Sequence, residues 1–374
     1  MIKKVVLCAA ALVFGSVAFA QTNTNDVNQT GLENSADVVQ AGDNLDSDVE
    51  QRGRFNTGTI MQTGTVHWSY LDQDGRRNNA DVTQSGDDHW SIINQNGTRN
   101  NANNTQSGYF QTSIIEQHSP YSVGPGNRAF TTQSGDSHWS EVYQNGEENE
   151  SDVTQSGSGH DSYVTQVGNG NDSDVTQSGY GYNYSDVDQW GNYNTSEVMQ
   201  GRGYNTSDVD QFGNRNSSVV NQARRTNNSI VLQTGNDNMS TVMQRRGNLN
   251  ESDVWQIGNG NVSDVNQRRG NNYALVTQTG TGVGAYSGNY SYITQRRGND
   301  NVAVVNQIGE LNYNEMIQLG FATDNYAEVF QLGVGNGSYS HQSGVSGANS
   351  NVVSQVGNGN WSSAVQVSGT TIIP

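Results

Sequence analysis

Glutamine recurs through this chain in one register. Gln29, Gln40, Gln51, Gln62, Gln73, Gln84, Gln95, Gln106 and Gln117 are spaced 11 residues apart. The series resumes with Gln133, Gln144, Gln155, Gln166 and Gln177, then Gln189, Gln200, Gln211, Gln222, Gln233 and Gln244. It closes with Gln256, Gln267, Gln278, Gln295, Gln307, Gln318, Gln331, Gln342, Gln355 and Gln366. Thirty of the 32 glutamines lie in this register, and 22 of its 29 steps are 11 residues; the others are 12, 13, 16 or 17. A unit that short buries nothing alone, so successive units must stack on one another, which restricts the chain to a solenoid.

Other positions keep phase with the glutamine. Asn stands six residues before it in 24 units, and Ser or Ala four before it in 26. Val, Ile, Leu or Met stands two before it in 26, and Gly two after it in 23. The unit therefore reads N-x-[SA]-x-V-x-Q-x-G, as in Asn171 to Gly179. The asparagines include Asn34, Asn56, Asn78, Asn100, Asn171, Asn183, Asn194 and Asn205. They continue with Asn216, Asn227, Asn238, Asn250, Asn261, Asn272 and Asn301. Fixed residues at every second position mean a strand, because side chains alternate faces with period two. Glycine then gives the backbone freedom of a tight turn.

The fixed face is small, apolar and amide-bearing, and it is expected to point inward. A lone buried amide is costly, but one stacked on identical amides about 4.8 Å above and below bonds along the axis as a ladder. Minor features recur at 22 residues: His67 and His89, His138 and His160, and arginine-rich turns after Gln200, Gln222, Gln244, Gln267 and Gln295. The expected fold is therefore all-β, a solenoid with two strands per coil. About 30 eleven-residue strand-turn units would make about 15 coils, roughly 70 Å of axis.

Residues 1–20 read as a secretory signal peptide. Lys3 and Lys4 begin it, Val5 to Phe14 is apolar, and Ala18-Phe19-Ala20 is a small-residue cleavage pattern, so cleavage is expected after Ala20. The single repeat domain would then span 21–374, with no membrane span after cleavage. The only cysteine, Cys8, leaves with the leader, so neither disulfides nor a thiolate metal site is available. Both lysines leave as well, and sixteen arginines against 36 acids give the remainder a net charge of −20. That balance argues against general nucleic-acid binding, which needs a basic surface.

Two spans interrupt the register, 118–128 with Pro120 and Pro125, and the long turn 279–289. Both are expected as loops on an edge, since the register recovers beyond them. Acids three before the glutamine, such as Asp26, Asp37, Asp48, Asp152, Asp174, Asp208 and Asp264, face outward and read as gatekeepers against premature association. A candidate basic edge consists of Arg224, Arg225, Arg245, Arg246, Arg268, Arg269, Arg296 and Arg297. Immediately after alternate glutamines stand Val167, Trp190, Phe212, Ile257, Ile308, Leu332 and Val356, an apolar counterpart. The histidines occupy the asparagine slot and read as amide substitutes. Carboxylates and Gly-rich turns recur as repeat positions, so no catalytic residue, cofactor or metal site is expected.

Two stretches carry a family resemblance. Gln166-Val167-Gly168-Asn169-Gly170-Asn171 with Ser173 and Gln177, and Gln256-Ile257-Gly258-Asn259-Gly260-Asn261 with Ser263 and Gln267, resemble the curlin repeat. The resemblance spans Asn23 to Gln366. It implies a major curlin-like subunit that polymerises with itself into amyloid cross-β fibres of the biofilm matrix at the cell surface. It also implies passage through the periplasm, with periplasmic chaperones, an outer-membrane secretion pore and a nucleator subunit as partners. The chain departs from the family in carrying many more units, and in starting its first unit at Asn23 without a Gly-rich targeting segment. No cap is apparent at either end, so each end is expected to template the next subunit. The alternative is a monomeric secreted solenoid, an adhesin or an ice-binding protein.

Overall fold

The computed structural model describes residues 22–120, 124–280, 287–320, 324–344 and 348–368. The expected cleavage at Ala20 lies outside them. Among the described residues there is no helix; the chain forms 26 parallel strands stacked as a β-solenoid of about 15 turns. The first strands are β1 (Thr24–Leu32), β2 (Ser35–Arg54), β3 (Thr57–Arg76), β4 (Asn79–Thr98) and β5 (Asn101–His118). Shorter strands follow, from β6 (Arg128–Asp136) and β7 (Trp139–Glu147) to β25 (Ser350–Val356) and β26 (Trp361–Ser368).

The expected 30 strands become 26 because β2 to β5 each carry two glutamine units. The turns between those paired units have equal length. In these strands the ladder runs around the corner, pairing Gly42 with Gly64, Asp43 with Thr65 and Leu45 with His67. From β6 onward pairing stops at every corner and each unit is its own strand.

Each unit pairs with the unit one coil away. Gln29 opposes Gln51 and Gln40 opposes Gln62, which defines a first and a second column of units. The interruption at 118–128 leaves this phase intact. β5 pairs with both β6 and β7, placing Gln106 beside Gln133 and Gln117 beside Gln144. The turn 279–289 is bridged in the same way, with Gln278 beside Gln307 and Gln267 beside Gln295.

The core is a thin seam between the two columns. Val187, Val198, Val209, Val220, Val231 and Val242 are all 0% exposed, and the neighbouring inward Ser and Gln are equally buried. The turn glycines answer two constraints at once. At Gly53 φ is 113°, and a Cβ there would lie 1.9 Å from the carbonyl oxygen of Gly75 in the next coil.

Not every inward polar group is satisfied. The hydroxyls of Ser185, Ser196, Ser207, Ser218 and Ser229 are buried without a hydrogen-bond partner. A stranded hydroxyl costs roughly 1–3 kcal/mol. The repeat already tolerates alanine at the same position, at Ala80, Ala102, Ala274 and Ala303, all 0% exposed. Replacing Ser207 and Ser229 with Ala should therefore raise stability by about 1 kcal/mol per site, read as a higher denaturant midpoint.

Candidate functional site

The alternation that buries valine also buries glutamine, and a buried carboxamide needs partners for two hydrogens and an oxygen. Stacking supplies them. Gln51 donates from Nε2 to Oε1 of Gln73 at 2.7 Å, and Gln62 likewise to Gln84 at 2.9 Å. The bonds run unbroken from Gln29 to Gln355 in the first column. They run equally from Gln40 to Gln366 in the second. All donate in the direction of increasing residue number. The second Nε2 hydrogen crosses the seam to a backbone carbonyl of the facing strand, as from Gln51 to Ser35 at 2.9 Å and Gln211 to Thr195 at 3.0 Å.

The asparagines fall into two columns. Asn34, Asn56, Asn78, Asn100, Asn171, Asn194, Asn216, Asn238 and Asn261 share the second column. Asn183, Asn205, Asn227, Asn250, Asn272 and Asn301 share the first, with Nδ2 to Oδ1 bonds of 2.7–3.0 Å between successive members. In the second column Oδ1 of Asn56 accepts the backbone N–H of Asn78 at 3.1 Å. Its Nδ2 donates to the carbonyl of Arg52, four residues earlier, at 3.0 Å, closing the turn. A further ladder escaped the sequence reading. Asn169, Asn192, Asn214, Asn236 and Asn259, three residues after first-column glutamines, accept backbone N–H groups of the preceding coil at 3.0 Å. The recurrent Q-x-G-N was the available signal.

Histidine reproduces the asparagine bonds. Nε2 of His67 donates to the carbonyl of Thr63 at 3.1 Å, four residues earlier, and Nδ1 accepts the backbone N–H of His89 at 3.3 Å. His138 does the same with Ser134 and His160, and Nδ1 of His160 accepts from Asn183. The rings stack, 4.8 Å between the centroids of His67 and His89. In His67, His138 and His160 both ring nitrogens are thus engaged within the ladder, while Nδ1 of His89 is buried without a partner. Among the described residues no three His, Cys, Asp or Glu side chains group as a metal site. Burial lowers the pKa of all four histidines, His138 to about 4.

The outward faces carry unpaired charge of both signs. Asp186 and Asp188 oppose Asp208 and Asp210 in register. Burial first, then mutual repulsion, pushes Asp186 and Asp210 up to about 6. The arginines gather at the turns leaving the second column. Arg245, Arg268 and Arg296 stack in register and are half-buried, while Arg246, Arg269 and Arg297 stack at the corner and are exposed. Arg224 and Arg225 extend the edge by one coil, with Arg225 bonded through its backbone to Arg202 at 3.0 Å. The apolar residues stack on the first column, at the opposite edge: Trp190 on Phe212, Ile308 on Leu332 and Leu332 on Val356.

Two expectations follow. Gln211→Leu strands the donor of Gln189, the acceptor of Gln233 and the carbonyl of Thr195. It should cost about 3 kcal/mol, measured by chemical denaturation of monomer. The histidines bind a proton more readily unfolded, at a pKa of about 6.5, than folded. Their stabilisation is full above that pH and is lost as pH falls toward about 4, the folded value of His138. The raised aspartates act oppositely, since their repulsion is relieved over the same fall. His138→Asn with His160→Asn, which restores the repeat's own residue, should raise the denaturant midpoint at pH 5 and leave it nearly unchanged at pH 8.

Three segments, 56–86, 124–157 and 146–179, match the family described as curlin associated repeat. A comparison with curated proteins found no match. The matched segments contain glutamines of both columns, from Gln62 to Gln84 and from Gln133 to Gln177, together with the asparagines and glycines that close their turns. The family is structural, not enzymatic, and the ladder these segments build runs on through the remaining units. Over these segments the chain carries curlin associated repeats.

Proposed function

We infer that this protein is a secreted structural subunit of curli-like amyloid fibres, adding end to end to copies of itself in the extracellular matrix of a biofilm. Secretion would follow removal of residues 1–20 and would use the family's periplasmic chaperones, outer-membrane pore and nucleator.

The observation that carries this reading is the state of the two ends. Among the described residues β1 pairs only with β2, and β25 and β26 each have one neighbour, on the side of the preceding coil. The outward-facing carbonyls of Gln29 and Gln40 and the outward-facing Nε2 hydrogens of Gln355 and Gln366 are complementary. An end that continues the ladder of its neighbour adds a rung identical to an internal one. Apolar surface is also uncovered there: Val356, Trp361 and Val367 are 67%, 68% and 65% exposed. Such an edge is a template for strand addition, and burying it favours association.

Residues 21–374, desalted from denaturant, should form unbranched fibres that bind thioflavin and diffract at about 4.8 Å. Gln355→Glu with Gln366→Glu keeps the acceptors for Gln331 and Gln342 but removes the donors facing the next subunit. It should slow seeded elongation at least about tenfold, a loss of about 1.4 kcal/mol at the joint. A lasting, protease-resistant monomer would overturn the fibre reading in favour of a monomeric adhesin. Elongation of the variant at the wild-type rate would overturn the end-to-end joint.

A further inference from the structure

We propose that the arginine edge is a binding site for an acidic polysaccharide strand lying along the solenoid axis. This inference goes beyond fibre formation and does not depend on it.

The edge is unpaired in a chain that has carboxylates to spare. Arg52, Arg128 and Arg215 bond Asp72, Glu150 and Asp237 at 2.9, 3.2 and 2.6 Å. Among the described residues, no carboxylate oxygen lies within 4.0 Å of the guanidinium groups from Arg224 to Arg297 on the edge. This holds although the chain without its leader carries 36 acids against sixteen arginines.

The backbone adds a second observation. Arg224, Arg246, Arg269 and Arg297 stand two residues after their glutamines, where most units have glycine, and they adopt φ of 63–70°. Elsewhere that glycine sits near 120°, as at Gly213 with φ 125°. A residue with a Cβ cannot follow it there, so the corner rearranges into the left-handed region, which L-residues enter with some strain. Glycine would serve the turn better. The strain therefore places a guanidinium at four successive coils without any gain to the fold.

The third observation is a cavity. Arg246, Arg268, Arg269, Arg296 and Arg297 alone line a space of about 200 Å3. Nε of Arg268 and Nε of Arg296 are enclosed there without an acceptor. Five like charges around one hollow with unanswered donors call for oxyanions, which guanidinium recognises in bidentate fashion. One coil earlier the edge widens into a hollow of about 730 Å3 that joins Arg202, Arg224 and Arg225 to Tyr180, Tyr204 and Leu249. Those tyrosines are 78% and 63% exposed and offer aromatic faces to sugar rings.

The site is linear, and so is the ligand it fits. From Arg202 to Arg297 the cations climb four coil steps, roughly 20 Å at about 4.8 Å per coil. A polymer bearing one acid per sugar presents pendent carboxylates or sulfates at similar intervals. The strand-face aspartates of a second copy, such as Asp186 and Asp208, are short and half-buried, so they do not reach into a corner cavity. A duplex nucleic acid carries a charge about every 1.7 Å, and the acidic body on both sides of the edge repels that density more strongly.

Binding is measured on freshly desalted residues 21–374 with immobilised polygalacturonate, beside neutral dextran and oligothymidylate, at several salt concentrations. The wild type should bind polygalacturonate with an affinity that falls steeply with salt and should ignore dextran. Arg246→Gly, Arg269→Gly and Arg297→Gly return the corner to the repeat's own glycine, so the fold is retained; Arg245→Gln, Arg268→Gln and Arg296→Gln remove the half-buried charges. Together they should weaken binding at least about tenfold and flatten the salt dependence, with fibre formation unchanged. Equal binding by variant and wild type, or equal binding to dextran, would overturn the site. Tighter binding of oligothymidylate would overturn the polysaccharide assignment.

Discussion

The fold rests on one hydrogen bond, from a glutamine side chain to the same side chain one coil away. A carboxamide can satisfy a copy of itself only if the copy sits at the same height, in the same rotamer and on the same face. This makes the bond an instruction about register: a strand slipped by one residue would turn every glutamine outward. The asparagine columns repeat the demand at the turn, and the valine seam adds burial without adding direction. Stability is therefore distributed over nearly equivalent coils, as in other one-dimensional repeats.

The sequence was most legible where this bond acts. The period, the inward face, the two-strand coil and the asparagine slot all follow from the need for identical neighbours. It was less legible where a different residue meets the same need by other means. His67 and His138 read as amide substitutes from their slot, but which ring nitrogen makes each of the asparagine's two bonds is visible only in the structure. Asn169 and Asn214 build an outer ladder that the inward motif overshadowed. Arg246 and Arg269 were visible as a doublet, but their left-handed backbone and missing partners depend on the close stacking at the corner.

Charge plays a separate part from the ladder. Asp186, Asp188, Asp208 and Asp210 stack like on like, and burial first, then repulsion, holds Asp186 and Asp210 up at about 6. At the turns leaving the second column Arg245, Arg268 and Arg296 likewise stack like on like, with the other sign. Neither column is needed for the register, which the inward face sets, so both act on what approaches from outside. The acids give the lateral faces like charge, while the arginines leave one edge able to attract an anion.

The ladder also has a direction. Each glutamine donates toward the next coil and accepts from the previous one, so the two ends of the solenoid differ: one is rich in acceptors, the other in donors. Contact between such ends is heterologous, and like ends do not match. A heterologous contact closes into a ring only if each joint turns the axis. A joint that continued the stack of parallel strands would have the geometry of one more coil and would leave the axis straight. A straight, polar, self-matching joint does not close, and growth by it is linear. The sequence feature that sets the register thus also fixes the form of any assembly built through these ends.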